Sequence, residues 1–86
     1  MTQKVVVTGL GIVSSLGKKP EIFWDNLMAG KNAVSIVSNF DTSRYPHHVG
    51  CEVKNFESDY ISKAEKKIYG RASMFAIHAT YEAIEN

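Results

Sequence analysis

The stretch IYGRASMFAIHATYEAIEN, from Ile68 to Asn86, says more about the fold than any other part of this sequence. At 100° per residue, Arg71, His78, Glu82 and Glu85 fall within one narrow arc of a helix, while nearly all other positions are apolar or small. Ser73 and Thr80 lie opposite this arc, and their hydroxyls can donate hydrogen bonds to backbone carbonyls of the helix itself. A helix that is apolar around most of its circumference needs cover on most sides.

A second helix is predicted from Pro20 to Ala29. Proline suits the first helical turn because it lacks the N–H that would stay unbonded there. Phe23 and Trp24 lie on the apolar side and are expected to anchor the helix to a core. Gly30 offers a C-terminal stop.

The remaining segments predict strands and loops. Lys4–Thr8 is a β-branched run typical of a strand covered on both faces, and Val49–Val53 predicts a second short strand. Lys31–His48 is rich in loop formers, and Ser58–Lys67 predicts a charged, exposed helical turn or two. These elements are too few to cover the Ile68–Asn86 helix. We therefore expect the native polypeptide to continue and cover it, with a second copy of the chain as the alternative.

Length and composition narrow the class of protein. Eighty-six residues make one small domain or part of a larger one, and 44% hydrophobic with 22% charged residues is ordinary for a globular protein. A net charge of +1 predicts attraction neither to nucleic acid nor to an anionic membrane. With one cysteine, no signal-peptide pattern and no apolar run of membrane-spanning length, the sequence predicts a cytoplasmic protein.

The glycine-rich segment Gly9–Gly17 does not fit a nucleotide-binding loop. A dinucleotide fingerprint requires glycine where Ser14 stands. A P-loop requires glycine at Ile12 and a hydroxyl residue at Lys19. The glycines therefore predict a tight turn after the first strand, and no cofactor is expected.

Histidine and cysteine spacing predicts no metal site. His47, His48, Cys51 and His78 match none of the common zinc patterns, although a small metal-binding module built from the first three stays as a minor alternative. Cys51 follows a glycine in a predicted strand, which favours a packing cysteine over a nucleophile.

The order of several segments resembles one enzyme family. The segment VVVTGLGIVSSLG, Val5–Gly17, resembles the start of bacterial β-ketoacyl-acyl-carrier-protein synthases I and II. Phe23–Lys31, Phe40–Ser43 and Val49–Phe56 follow in the family's order. Because the likeness runs across essentially all 86 residues, it is far more specific than any one motif.

The resemblance implies a thiolase-like, layered α-β-α-β-α fold, incomplete in this chain, with residues 1–86 as the N-terminal part of the N-terminal domain and no internal boundary. It implies a homodimer that condenses an acyl primer, held on a cysteine, with malonyl groups carried by acyl carrier protein. The family's cysteine and two histidines match none of His47, His48, Cys51 or His78. No catalytic residue is therefore predicted in this chain.

A basic cluster is the one site that the resemblance adds. Composition alone favours a solvated helix face for Lys63, Lys66 and Lys67. In the family, however, basic residues before the long helix help to dock the acidic carrier protein, and Lys67 aligns best with such a position. Ala64 and Ile68 fall where some members carry further basic residues, which implies a weaker or shifted patch.

Two questions stay open at this level. Tyr69–Arg71 departs from the type II pattern and Ala72–Ser73 is nearer to type I, so the subtype is undecided. A non-catalytic partner subunit of the chain-length type, or a piece of a polyketide ketosynthase, would share this N-terminal pattern.

Overall fold

The computed structural model describes residues 3–85, and these form three helices and one two-stranded sheet. In chain order the elements are α1 (Pro20–Met28), β1 (Val34–Ile36), β2 (Val49–Cys51), α2 (Lys63–Ile68) and α3 (Arg71–Glu85). Helices and strands are thus mixed, as the predicted α/β class requires. None of the helices described in this range combines the length and the apolar character needed to cross a bilayer.

The prediction of the first helix is confirmed, and α1 ends one residue earlier than expected. Pro20 occupies the first turn, and Gly30, just past the end, has φ of +73°, a conformation that glycine adopts without strain. The expected anchoring is only partial. Phe23 is half-buried, but Trp24 is 57% exposed and lines an open cavity together with Leu10.

The sheet pairs β1 with β2 in antiparallel register, with Ser35 opposite Gly50. β1 lies inside the segment predicted to be a loop, because three residues are too few to show an alternating pattern. β2 confirms a strand starting at Val49 but ends two residues earlier than predicted. Cys51 is exposed, so the expectation of a packing cysteine is wrong for this structure.

The predicted first strand is not formed. Residues 3–13 show no strand pairing, and Val5 is 94% exposed. A strand needs backbone partners on a neighbouring strand, and no described residue supplies them to Lys4–Thr8.

The glycines beyond this segment do serve a turn. Ser14 and Gly17 exchange two backbone hydrogen bonds of 3.0 and 3.3 Å, and the Ser14 hydroxyl donates to the Gly17 carbonyl at 2.9 Å. Gly17 has φ of +153°, which a side chain rarely tolerates. The prediction of a tight turn is confirmed at this position.

The long helix predicted over Ile68–Asn86 starts later than expected and runs from Arg71 to Glu85. Ile68 instead ends α2, two residues separate the helices, and Asn86 lies outside the described residues. Thr80 donates to the Ala76 carbonyl at 2.7 Å, the predicted bond back to the helix. The polar arc is covered only in part: His78 is 3% exposed, but Arg71 and Glu85 are exposed, as is Ile84 at 72%.

The described chain encloses almost no core of its own. Its radius of gyration is 16.2 Å, compared with roughly 12 Å expected for a compact domain of this length. Its accessible surface is 7029 Å², compared with roughly 5,100 Å² for a compact monomer of this mass. Within residues 3–85, Ile61 is the only buried hydrophobic residue. On α3, Tyr81 and Ile84 stay exposed, so within the described residues this helix has only part of the cover that its sequence predicts.

Candidate functional site

The lysine cluster lies on α2, and a capping box fixes where this helix begins. The Ser62 hydroxyl accepts the Glu65 backbone N–H at 3.2 Å, and the Glu65 carboxylate accepts the Ser62 N–H at 3.0 Å. These bonds hold the pKa of Glu65 below its usual value, the backbone bond from Ser62 being the largest cause. The helix therefore starts at Lys63 rather than at Ser58, and the Glu65 carboxylate is turned towards the helix N-terminus.

Two of the three lysines extend freely into solvent. Lys63 and Lys67 are four positions apart and so lie on the same face of α2. Both are exposed, and in the part of the chain that the structure describes no carboxylate forms a salt bridge with either. Their charges are open to an incoming anion.

Lys66 differs because an internal carboxylate holds it. Its Nζ lies 2.6 Å from Oε2 of Glu57, and the two side chains are 35% and 76% exposed. Lys18 donates from Nζ to the backbone carbonyl of Glu57. The hydrogen bond from Lys66 is the main reason that the pKa of Glu57 lies below its usual value, with the charges of Lys66 and Lys18 adding to it. Sequence analysis missed Glu57, since no helical spacing connects positions 57 and 66.

A buried histidine connects α3 to the segment before α2. His78 Nδ1 lies 2.7 Å from the Ser58 hydroxyl, and Nε2 lies 3.3 Å from the Lys18 carbonyl. A carbonyl can only accept, so Nε2 carries a proton, and in the neutral imidazole the Ser58 hydroxyl donates to Nδ1. Ser58 is 8% exposed and its oxygen also accepts the Tyr60 N–H at 3.3 Å. This serine–histidine pair is therefore an internal structural contact, closed to a substrate.

Tyr60 adds a second connection between the same elements. Its hydroxyl donates to Glu85 at 2.7 Å and lies 3.5 Å from Glu82. Its ring stacks on Tyr81 with centroids 5.1 Å apart. The bond to Glu85, followed by burial and the nearby acidic charges, raises the pKa of Tyr60 to about 12. α3 thus holds in place the turn from which Glu57 and α2 extend.

The other predicted candidates do not assemble into a site. His48 Nδ1 lies 3.0 Å from the Thr42 hydroxyl, and Cys51 is exposed on β2. His78 is engaged in its buried bonds. Among residues 3–85 no three histidine, cysteine or acidic side chains are grouped so that they would hold a metal ion.

Comparison with known proteins gives the family. Residues 2–86 match the model of the beta-ketoacyl synthase N-terminal domain. A 3-oxoacyl-[acyl-carrier-protein] synthase 2 of Staphylococcus aureus strain COL is 34% identical over 85 residues, which cover 98% of this chain and 20% of that protein. The chloroplastic 3-oxoacyl-[acyl-carrier-protein] synthase II of Arabidopsis thaliana is 40% identical over 57 residues, covering 66% of this chain and 10% of that protein.

The chain therefore belongs to the beta-ketoacyl synthase family, and its residues 2–86 match within the family's N-terminal domain. The resemblance inferred from the order of its segments is confirmed. The chain spans about a fifth of the length of the Staphylococcus relatives.

Proposed function

We propose that this chain is the N-terminal part of a β-ketoacyl-acyl-carrier-protein synthase of fatty acid biosynthesis. The observation that carries the proposal is the match over residues 2–86, together with relatives whose names state this activity. Residues 1–86 would form one part of a layered, thiolase-like domain with no internal boundary. The exposed Tyr81 and Ile84 side chains on α3 support this, because the remaining layers would cover them.

The proposed reaction is a decarboxylative Claisen condensation. An acyl group passes from its carrier to a cysteine thiolate. Malonyl-carrier protein then loses carbon dioxide, and the released electron pair attacks the carbonyl carbon of the acyl thioester. The cysteine sulfur leaves as a thiolate, and a 3-oxoacyl-carrier protein is formed. None of His47, His48, Cys51 and His78 takes part in these steps, so the chemistry belongs to the rest of the parent synthase.

The contribution of this chain is carrier-protein docking. Lys63 and Lys67 are exposed on one face of a capped helix and form no salt bridge with residues 3–85, and Lys66 lies beside them. A compact group of cations attracts an acidic protein and orients it, acting more on encounter and specificity than on total affinity. We propose Lys63, Lys66 and Lys67 as the docking site on a cytoplasmic, homodimeric synthase.

Charge reversal in the parent synthase tests the docking site. For Lys63→Glu and Lys67→Glu, we expect the KM for acyl carrier protein substrates to rise about fivefold each at low salt, since one exposed charge contributes modestly. We expect kcat to change by less than about twofold, because neither residue touches the reacting atoms. Lys31→Glu is the matched control, an exposed lysine in the loop after α1. If its KM rises equally, the docking assignment is wrong.

Product analysis tests the activity itself. The purified parent protein, given acyl and malonyl carrier proteins, should form a 3-oxoacyl product and release carbon dioxide. A parent that binds carrier protein normally but forms no product would instead be the non-catalytic partner subunit. Light scattering on the same sample measures whether it is a homodimer.

A further inference from the structure

The lysines of the proposed docking site are not equivalent. Lys63 and Lys67 form no salt bridge within the described part of the chain, whereas Lys66 lies 2.6 Å from the Glu57 carboxylate. The other carboxylate next to them in sequence, Glu65, is occupied by the Ser62 backbone N–H. Glu57 is thus the anion that neutralises part of this cationic face.

The Glu57 pair is arranged so that it can open. The backbone of Glu57 is held by the bond from Lys18, whose Nζ also lies 5.8 Å from the centre of the Phe56 ring. The carboxylate itself is 76% exposed, and in the described structure Lys66 is the one side chain in hydrogen-bond contact with it. Rotation of the Glu57 side chain therefore breaks a single contact and leaves the turn in place.

We propose that Glu57 is an internal competitor for Lys66 that an acidic carrier protein must displace when it docks. The proposal rests on the docking role proposed above for the three lysines. Before docking, the site offers two open cations and one paired cation. A carboxylate of the partner then takes the place of Glu57 on Lys66, and the Glu57 side chain moves into solvent.

This arrangement has a consequence for selectivity. A partner that reaches only Lys63 and Lys67 leaves the Glu57–Lys66 pair closed and gains nothing from Lys66. A partner with a carboxylate positioned for Lys66 gains that contact, less the cost of opening the pair. Glu57 thus sets a threshold at Lys66 that favours partners whose carboxylate fits this lysine well.

Binding of acyl carrier protein to the full-length parent synthase tests the proposal. The variants are Glu57→Gln, Lys66→Gln and the double variant, with Glu21→Gln on α1 as an exposed control with the same change in charge. Glutamine keeps the size of the side chain but removes its charge. We expect Glu57→Gln to lower the Kd about two- to fivefold at low salt, because exposed ion pairs are weak, and the gain should shrink as salt rises.

The double variant tests whether the lower Kd of Glu57→Gln depends on Lys66. In the Lys66→Gln background, Glu57→Gln should lose most of its effect, and Glu21→Gln should change the Kd little in either background. An unchanged Kd for Glu57→Gln would overturn the proposal. An equal gain with and without Lys66 would also overturn it, since the effect would then be simple repulsion. If Lys63→Glu and Lys67→Glu leave binding intact, the docking site itself is wrong, which is a separate result.

Discussion

Replacement of Gly11 by alanine is the most direct test of how the N-terminal segment packs on α3. A Cβ at Gly11 would lie 1.8 Å from the carbonyl oxygen of Ala79 and 2.7 Å from its carbonyl carbon. The usual lower limit for a C–H···O contact is roughly 3.3 Å, so the two backbones would have to separate by about 1.5 Å. Both groups belong to the backbone, and no rotation of a side chain relieves the overlap.

The expected size of the effect follows from overpacking. Forcing an extra methyl group into a filled contact costs about 1–3 kcal/mol. If this free energy is lost from the packing of α3 against the N-terminal segment, backbone amide exchange in the middle of the helix should become about 5- to 150-fold faster. Hydrogen exchange of the full-length protein, followed on peptides from Arg71–Glu85, measures this directly.

A second glycine serves as the control. A Cβ at Gly50 would lie 3.3 Å from a methyl group of Val37, which can move aside, and Gly50 lies in β2 rather than against α3. Gly50→Ala should leave exchange in α3 unchanged. If Gly11→Ala gives the same exchange rates as Gly50→Ala, the close approach of the two backbones is not present and the packing described here is wrong.

Two further predictions concern the elements around the lysine cluster. The raised pKa of Tyr60 means that its protonated form is favoured in the folded state, so its contribution to stability is full below pH 10 and is lost as pH rises towards 12. The difference in urea midpoint between the wild type and Tyr60→Phe should therefore narrow over that window, and a constant difference would contradict the Glu85 hydrogen bond. Ser62→Ala should destabilise α2 by about 1 kcal/mol through loss of its cap, seen as faster amide exchange at Glu65, and Ser62→Thr should retain most of the protection. Equal exchange in the alanine and threonine variants would rule out the capping box.

The candidate site was predictable in part. Three lysines close together in sequence are visible without coordinates, and family resemblance points to their role. The difference between Lys66, which is paired, and the other two lysines is not visible in the sequence. It depends on Glu57, nine positions before Lys66, and on a turn held by His78 and Tyr60. Such a contact has no periodic signature, because both its residues are set in place by packing between separate segments.

The sequence by itself determined the helices. Proline and glycine mark the two ends of α1, and the 3.6-residue pattern of α3 predicts both a helix and its need for cover. For α2 the sequence predicts a charged helical turn or two within Ser58–Lys67, and the structure places its start at Lys63, after a serine and a glutamate three positions apart that cap it. These features are local, since each depends on residues within a few turns of one another.

Tertiary structure decided the strands and the exposure of side chains. The β-branched run at Lys4–Thr8 is unpaired, while the unpredicted β1 found a partner in β2. Part of the polar arc of α3 packs against the chain, because His78 finds buried hydrogen-bond partners in Ser58 and Lys18. Some apolar positions of the same helix, such as Ile84, stay exposed. Strand pairing and burial depend on what lies alongside in space, and propensity alone does not specify that neighbour.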